Sequence, residues 1–288
     1  MQIAFEPTGT PAAFGTALTA LTATPGIQAV LVLACDDNGW QPAHIDAWLS
    51  RAVVPVVGGI FPQIVYQGQG YRRGTLLVGL AHTVHIGVVE GLSDPDTDFE
   101  TRVGEWADHW PLEAAERTHL VLVDGLAARI SALLEGLFFT FGLAHNFMGG
   151  GAGSLSLEQR PCIITPQGLR QDVALVASLP VASFIGVTHG WSPISDSATV
   201  TASERNVIQS IDWQPAAEVY SAMIHAHGGY TLTPDNFFDI AKSYPLGIAR
   251  LGAEMVVRDP LMMTENGEVV CVGEVPEGCS IRLLNGNP

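Results

Sequence analysis

The chain has 288 residues, 47% of them hydrophobic, which is enough apolar material for one large domain or two modest ones. Its 13 lysines and arginines against 29 aspartates and glutamates give a formal charge of -16, which repels phosphate backbones and anionic lipid surfaces. No apolar run reaches the ~18 residues that span a bilayer, and no basic segment precedes the apolar residues of the N-terminus. We therefore expect a folded cytoplasmic protein that binds neither nucleic acid nor membranes.

Residues 11–109 are predicted to form three helices and five strands. Phe14, Leu18 and Leu21 have helical spacing, and Pro42 suits the first turn of a second helix. Gly58-Gly59 indicates a tight turn. The predicted helices are 11–22, 42–51 and 102–109, and the predicted strands are 29–37, 53–57, 64–66, 74–81 and 84–90.

The same order then begins again after an acidic linker. A buried strand is predicted at 119–126, a strongly apolar helix at 130–142 and a glycine turn within 146–157. A strand pair within 172–190 closes this part. Its last stretch, 184–191 (FIGVTHGW), is predicted to be a buried strand that ends at His189, because Gly190 favours a turn there.

Three landmarks indicate an internal duplication. Leu31 in LVLA corresponds to Leu120 in LVLV, Gly58-Gly59 to Gly149-Gly150, and Gly87 to Gly186. If two such units pack about a local two-fold axis, Glu90 and His189 lie at matching strand ends and face one pocket. Chance similarity between two ordinary α/β segments is the alternative, with Glu90 a solvated carboxylate.

The remainder of the chain is richer in strands. Strands are predicted at 198–201 and 206–211 and within 254–263, 267–275 and 278–284, and helices at 215–225 and 237–242. Asn266-Gly267 is a strong hairpin signal. The predicted fold class is α/β, with two pseudo-duplicated strand-helix-strand units that form mixed sheets with flanking helices, followed by a C-terminal β-rich extension.

Three stretches of the sequence carry a family resemblance. They are 31–68 (LVLACDD to VVGGIFPQIVYQG), 185–220 (IGVTHGW through NVIQSID to PAAEVY) and 244–284 (YPLGI through VRDP and VPEG to SIRLL). In this order the motifs resemble the FIST family of bacterial sensory domains, with an N-terminal half at 1–110 and a C-terminal half at 111–288. In 212–215, DWQP stands where the family usually has Asp-Gly before proline, and a late Gly-Glu motif is absent, which is expected of a short or truncated member.

The resemblance implies signal transduction through a small ligand in the cytoplasm. Such proteins often act beside a histidine kinase or a cyclic-dinucleotide enzyme, and some bind haem and sense nitric oxide. Because the sequence shows no kinase or cyclase motif, we expect the chain to signal through another protein. No sequence motif indicates a cofactor. The possibility of bound haem follows only from the resemblance to the family.

Histidines and aromatic residues supply the candidate ligand contacts. His189 is the first candidate for a ligand or haem contact, since neutral imidazole is the usual proximal donor to haem iron, and His145 is the second. The alternative is a hydrogen-bonded histidine in a loop. Trp191 is a candidate for stacking on the ligand, although a tryptophan near proline also caps a core.

Phe61 and Tyr66, together with Glu90, complete the set of candidate pocket residues. Aromatic side chains that follow a strand turn can line a pocket, and they can equally belong to the core.

The sequence contains no recognisable catalytic or metal-binding motif. Ser154 lacks a GxSxG elbow, and the thiolate of Cys35 is disfavoured by the neighbouring Asp36 and Asp37. The four cysteines have no CxxC or zinc-ligand spacing and are expected to be free, with a bridge from Cys271 to Cys279 as the alternative. We expect a binding protein rather than an enzyme, and no metal site.

Overall fold

A computed structural model describes residues 2–110, 117–143, 145–250, 252 and 254–286. The chain forms two units, Met1–Ile185 and Gly186–Pro288. Among the described residues, no helix is both long enough and apolar enough to cross a membrane.

The first unit contains one topological motif twice. The first copy consists of β1 (Gln2–Glu6), α1 (Pro11–Thr22), β2 (Ala29–Cys35), α2 (Pro42–Leu49), β3 (Val56–Phe61), β4 (Ile64–Tyr66), β5 (Gln69–Tyr71) and β6 (Thr75–Leu80). The second copy consists of β7 (His85–Glu90), α3 (Phe99–Ala107), β8 (Thr118–Asp124), α4 (Ile130–Phe141), β9 (Asn146–Ala152), β10 (Ile163–Thr165), β11 (Gly168–Arg170) and β12 (Val173–Leu179).

The two copies also share their sheet topology. The strand order is β1-β6-β2-β3 in the first copy and β7-β12-β8-β9 in the second. In the first copy, β2 lies parallel to β3 and antiparallel to β6. In the second copy, β8 likewise lies parallel to β9 and antiparallel to β12. Equal order and equal directions in all four positions confirm the predicted duplication.

Local signals account for the helix starts. Thr10 caps α1, since its hydroxyl accepts the amide of Ala13 at 3.3 Å, and Pro11 occupies the first turn. Asp98 caps α3 through the amide of Thr101 at 3.2 Å. The predicted helices in this unit are confirmed, with shifts of a few residues at their ends.

Packing arranges the first unit in layers. One face of the second sheet, with Val121 and Val123, packs on α3 and α4 around Leu133. Its other face, with Leu122 and Leu175, shares a core with the first sheet and with α1 and α2. The two copies are therefore joined through a common sheet-to-sheet core, with their helices on the outside.

One hairpin crosses from the second copy to the first. Strand β10 pairs antiparallel with β3, with Ile163 opposite Gly59 and Ile164 opposite Gly58, and β11 follows at the edge. The corresponding hairpin of the first copy, β4–β5, forms a separate two-stranded sheet. The second copy thus completes the sheet of the first to six strands.

The second unit is the expected β-rich extension. Its elements are β13 (Trp191–Pro193), β14 (Ala198–Glu204), β15 (Val207–Ile211), β16 (Gln214–Pro215), α5 (Ala216–Gly228), α6 (Phe237–Ala241), β17 (Leu246–Ile248), β18 (Val256–Arg258), β19 (Pro260–Met263), β20 (Val269–Cys271) and β21 (Ser280–Gly286). Tyr220 of α5 and Phe237 of α6 are buried against the sheet. Gly267 has a positive φ between β19 and β20, which confirms the predicted hairpin turn.

Two of the three predicted repeat landmarks are confirmed. Val32 lies opposite Gly58 in the first copy and Val121 opposite Gly149 in the second, so both glycines occupy one position of the motif. They lie within strands and not in the predicted turns. The third landmark is wrong, because Gly87 belongs to β7, the first strand of the second copy, whereas Gly186 lies in no strand.

The predicted buried strand at 184–191 is also wrong. Phe184 and Val187 are exposed, and a strand begins only at Trp191. An apolar run becomes a strand where a partner takes its backbone groups and a core takes its side chains, and neither is present among the described residues here. Glu90 and His189 therefore do not lie at matching strand ends.

Candidate functional site

A cavity of about 610 Å³ lies in the first unit between β7, α3 and the turn that joins β10 to β11. This volume is within the range of small-molecule sites. The polar and aromatic residues of its lining are Glu90, Arg102, Glu105, Trp106, Thr165, Gln167 and Arg170.

Helix α3 supplies one wall of this cavity. Arg102, Glu105 and Trp106 are spaced three and four residues apart, so they share one face of the helix. Gly87 of β7 makes room for the helix, since a Cβ at that position would overlap the indole ring of Trp106. Among the described residues, the buried indole nitrogen of Trp106 has no hydrogen-bond partner.

The two arginines that line the cavity have different roles. Arg170 is held by Asp46 at 3.6 Å and donates to the carbonyl of Gln167 at 2.6 Å, so it fixes the β10–β11 turn. Arg102 pairs with Glu105 at 3.6 Å, and both side chains are more than half exposed. Because an exposed pair of this kind is worth at most about 1 kcal/mol, Arg102 can leave Glu105 for a ligand.

The charges of the cavity define what it can bind. The Arg102 guanidinium is suited to a carboxylate or phosphate, and the Glu90 carboxylate at the end of β7 to an ammonium or hydroxyl group. Trp106 offers an aromatic ring beside them. The site is therefore complementary to a small molecule that carries an anionic group together with hydrogen-bond donors.

His189 occupies a different environment. Its Nε2 lies 3.0 Å from the carbonyl of Met255 and 3.7 Å from Glu254, and its Nδ1 accepts the amide of Trp191 at 3.3 Å. A ring whose Nδ1 accepts must carry its proton on Nε2, which then donates to Met255. Both nitrogens are engaged in holding a loop, and His189 does not line the cavity above.

Trp191 opens β13 and lies opposite Gly286 of β21, where it is half-buried. In the second unit, a wider groove of about 850 Å³ lies between the segment 193–198 and α5. Its acidic residues, Asp196 and Asp212, are exposed, and neither His189 nor Trp191 lines it.

His145 belongs to an aromatic cluster at one end of the second sheet. Its Nδ1 lies 3.1 Å from Nε2 of His119, and Phe141 and Phe147 stack around the pair. Burial lowers the pKa of His119 to about 4, with further lowering by His145 and Arg117. A pair that is neutral and packed between aromatic rings acts as part of a core.

Phe61 and Tyr66 also serve packing. Tyr66 stacks on Phe5 at 5.3 Å between ring centroids, and Phe61 borders the shared sheet-to-sheet core. Of the residues that the sequence singled out, Glu90 alone lines the cavity of the first unit. The arginine and tryptophan of α3 were missed. The available signal was that Arg102, Glu105 and Trp106 are three and four residues apart, so that they share one face of the predicted helix that follows Glu90.

Comparison with family models identifies the chain. The FIST N domain model matches residues 28–214, and the FIST C domain model matches residues 216–288. The chain belongs to the FIST family. No curated protein matches it. FIST domains are sensory modules of signalling proteins and bind small ligands.

The FIST N match begins after α1, covers the rest of the first copy and the whole span of the second, and continues into the second unit as far as β16. The FIST C match begins at α5. The division expected from the sequence, between residues 110 and 111, does not coincide with this boundary or with that of the units. The expected division borders residues 111–116, which lie outside the described residues. It separates β7 and α3 from the other elements of the second copy.

Proposed function

We propose that this FIST protein is a cytoplasmic sensor that binds a small bipolar metabolite in the cavity between β7, α3 and the β10–β11 turn. One observation carries the proposal: Glu90, Arg102 and Trp106 converge there on one space of ligand size. Four free cysteines support a reducing compartment.

The position of the cavity supports a sensory role. Its β10–β11 wall is hydrogen-bonded into the sheet of the first copy, whereas β7 and α3 belong to the second. A ligand that contacts both walls binds one relative arrangement of the copies better than others, and a signal requires this differential affinity. The signal passes to a separate partner, for which a histidine kinase or a cyclic-dinucleotide enzyme is the proposal.

The chain is proposed to bind and not to turn over its ligand. Burial raises the pKa of Cys35, and it raises the pKa of Cys162 and of Cys271 to about 12. Thiols in this state are poor nucleophiles, because the thiolate is the reactive form.

Haem is the second candidate ligand, with nitric oxide as the signal, and its candidate axial ligands are His189 and His145. The surroundings of these residues do not fit it. Both nitrogens of His189 are engaged, and the ring of His145 is packed against His119 and Phe141. Titration with haemin, followed by absorbance, tests this candidate. A Soret band that disappears in His189→Ala or His145→Ala would restore it.

The small-metabolite proposal is tested by binding to a defined panel of zwitterionic metabolites and of hydroxy acids that carry a single carboxylate. Intrinsic tryptophan fluorescence, compared between the native chain and Trp106→Phe, and thermal shift are the two readouts. For any compound that binds, Arg102→Gln and Glu90→Gln should each weaken binding about 10- to 100-fold, the effect of removing a charged hydrogen bond. The matched controls are Arg51→Gln and Glu158→Gln, which change exposed residues away from the cavity.

Equal affinity of the cavity variants and the controls contradicts the assignment of the site. A panel without any binder contradicts the assigned ligand class.

A further inference from the structure

Strand β9 has a backbone edge without a strand partner among the described residues. The backbone amides and carbonyls of its even-numbered residues point towards β8. The amide of Asn146 donates to the carbonyl of Arg117, and the carbonyl of Ala152 accepts from the amide of Gly125. Successive backbone groups of a strand point to opposite sides. Phe147, Gly149 and Gly151 therefore direct their amide and carbonyl groups away from β8.

This edge is open to solvent. Met148 and the three glycines that follow it are exposed, and no side chain from Gly149 to Gly151 shields the backbone. An exposed edge of this kind is a template for pairing with another strand.

The first copy of the motif shows what covers the equivalent edge. There β3 takes the antiparallel strand β10, and the amide of Ile60 donates to the carbonyl of Cys162 at 2.8 Å. Gly58 and Gly149 hold the same position of the motif, so the same edge is paired in one copy and open in the other. The missing partner is therefore an antiparallel strand.

An apolar helix face lies beside the open edge. Leu134 and Phe138 of α4 lie four residues apart on one face of the helix and are both exposed, Phe138 by 47%. The ring of Phe138 lies 5.0 Å from that of Phe147 on β9, so helix face and strand form one surface. Exposed large apolar groups that adjoin one another indicate an interaction site.

Charge indicates which partner fits this surface. Glu135 is the one charged residue within α4, and β9 has none, in a chain whose formal charge is -16. Two copies of so acidic a chain repel each other over most of their surfaces. They can approach with little repulsion at α4 and β9.

We propose that β9 pairs with β9 of a second copy of this chain about a two-fold axis, with the exposed faces of the two α4 helices packed across it. A two-fold axis normal to the sheet sets identical edge strands antiparallel, which is the sense in which β10 pairs with β3. The interface is isologous and joins two four-stranded sheets into one continuous sheet.

Sedimentation equilibrium of the full chain tests the proposal. The expected result is a reversible dimer whose dissociation constant rises at least 10-fold in Phe138→Lys, because a desolvated charge then faces the partner helix. Lysine makes the chain less acidic, so general repulsion cannot account for the loss. Val53→Lys is the matched control at a residue that is 80% exposed and outside α4 and β9, and it should leave the dissociation constant unchanged.

Amide hydrogen exchange at low and high protein concentration locates the contact. Peptides that contain Gly149 and Gly151 should gain protection on dimerisation. A monomer at millimolar concentration overturns the proposal and leaves a strand of another protein as the occupant. A dimer that is unaffected by Phe138→Lys, or that leaves β9 unprotected, overturns it as well. Circular dichroism of the variants verifies that both are folded.

Discussion

Gly58 and Gly149 occupy the same position in the two copies of the motif, and each lies directly beside the backbone of the neighbouring parallel strand. A Cβ on Gly58 would overlap the carbonyl oxygen of Val32, and a Cβ on Gly149 would overlap that of Val121. Both sites therefore exclude every other residue for the same steric reason, a close approach of two strands.

Gly58→Ala and Gly149→Ala should each lower the free energy of unfolding by about 3 kcal/mol or more, because backbone atoms must shift to admit the methyl group. Urea denaturation measures the effect. Gly104→Ala is the control, since a Cβ there has open space in helix α3, and it should raise the free energy of unfolding by about 1 kcal/mol. Unchanged stability in either strand variant would falsify the steric explanation at that site, and a loss in only one of them would contradict the equivalence of the two sites.

Trp213→Gly should stabilise the second unit by about 1 kcal/mol. Asp212 and Trp213 form the two-residue turn between Ile211 and Gln214, and both have positive φ, +46° and +64°. Glycine adopts this conformation without steric cost, whereas tryptophan does not, and the side chain of Trp213 is 86% exposed and packs little. Thermal unfolding measures the change. Trp213→Ala is the control, because alanine keeps the Cβ, and an equal gain in that variant would contradict the explanation.

Stability should fall below pH 6.5 because of His119. In the unfolded chain its pKa is 6.5, whereas burial lowers it to about 4 in the folded protein. Between these values the unfolded state binds a proton that the folded state does not, so the free energy of unfolding decreases by up to about 1.4 kcal/mol per pH unit. Burial also lowers the pKa of His85 and of His145, which act in the same direction.

Chemical denaturation above and below pH 6.5 measures this dependence. His119→Phe should flatten the acid limb, whereas His82→Gln, at an exposed histidine, should leave it unchanged. An unaltered slope in the phenylalanine variant would rule out His119 as the source.

Asp124→Ala should destabilise the first unit by about 3 kcal/mol. Asp124 ends β8, is 1% exposed, and accepts the amides of Leu126 at 3.1 Å and Asp172 at 2.9 Å and the side chain of Gln159 at 2.9 Å. Its removal leaves these donors without an acceptor. Urea denaturation provides the measurement, and Asp96→Ala, at an exposed loop residue, is the control. Equal stability of the two variants would show that these hydrogen bonds contribute nothing net.

Apolar periodicity and capping residues were sufficient to predict the helices and the central strands. Phe14, Leu18 and Leu21 face the core as their spacing indicates, and Leu31 and Leu120 lie on equivalent strands. Such signals are local, and tertiary packing reinforces them here. Together with the glycine pairs at 58–59 and 149–150, they predicted that one unit occurs twice, which the sheet topology confirms.

The strands with many glycines or few residues could not be predicted in this way. Residues 149–151 form part of β9, although three glycines in a row favour a turn, because β8 supplies the hydrogen bonds that their own propensity does not. Conversely, 184–189 has the composition of a strand but has no strand partner in the part of the chain that the structure describes. Strand formation depends on a neighbour that is distant in sequence, and a single sequence does not reveal that neighbour.

The candidate site was only partly predictable for the same reason. Glu90 could be singled out as a strand end, but its proximity to Arg102 depends on how α3 folds back over β7, with Gly87 beneath Trp106. Gln167 reaches the cavity through the crossing hairpin, which no local pattern indicates.

The crossing of β10 onto β3 also has a consequence for inheritance. The second repeat contributes its β10–β11 hairpin to the sheet of the first, so the first repeat is not a module that recombination could move intact to another gene. A cut between the repeats would remove the two outermost strands from the sheet of the first repeat and leave β3 as an unpaired edge.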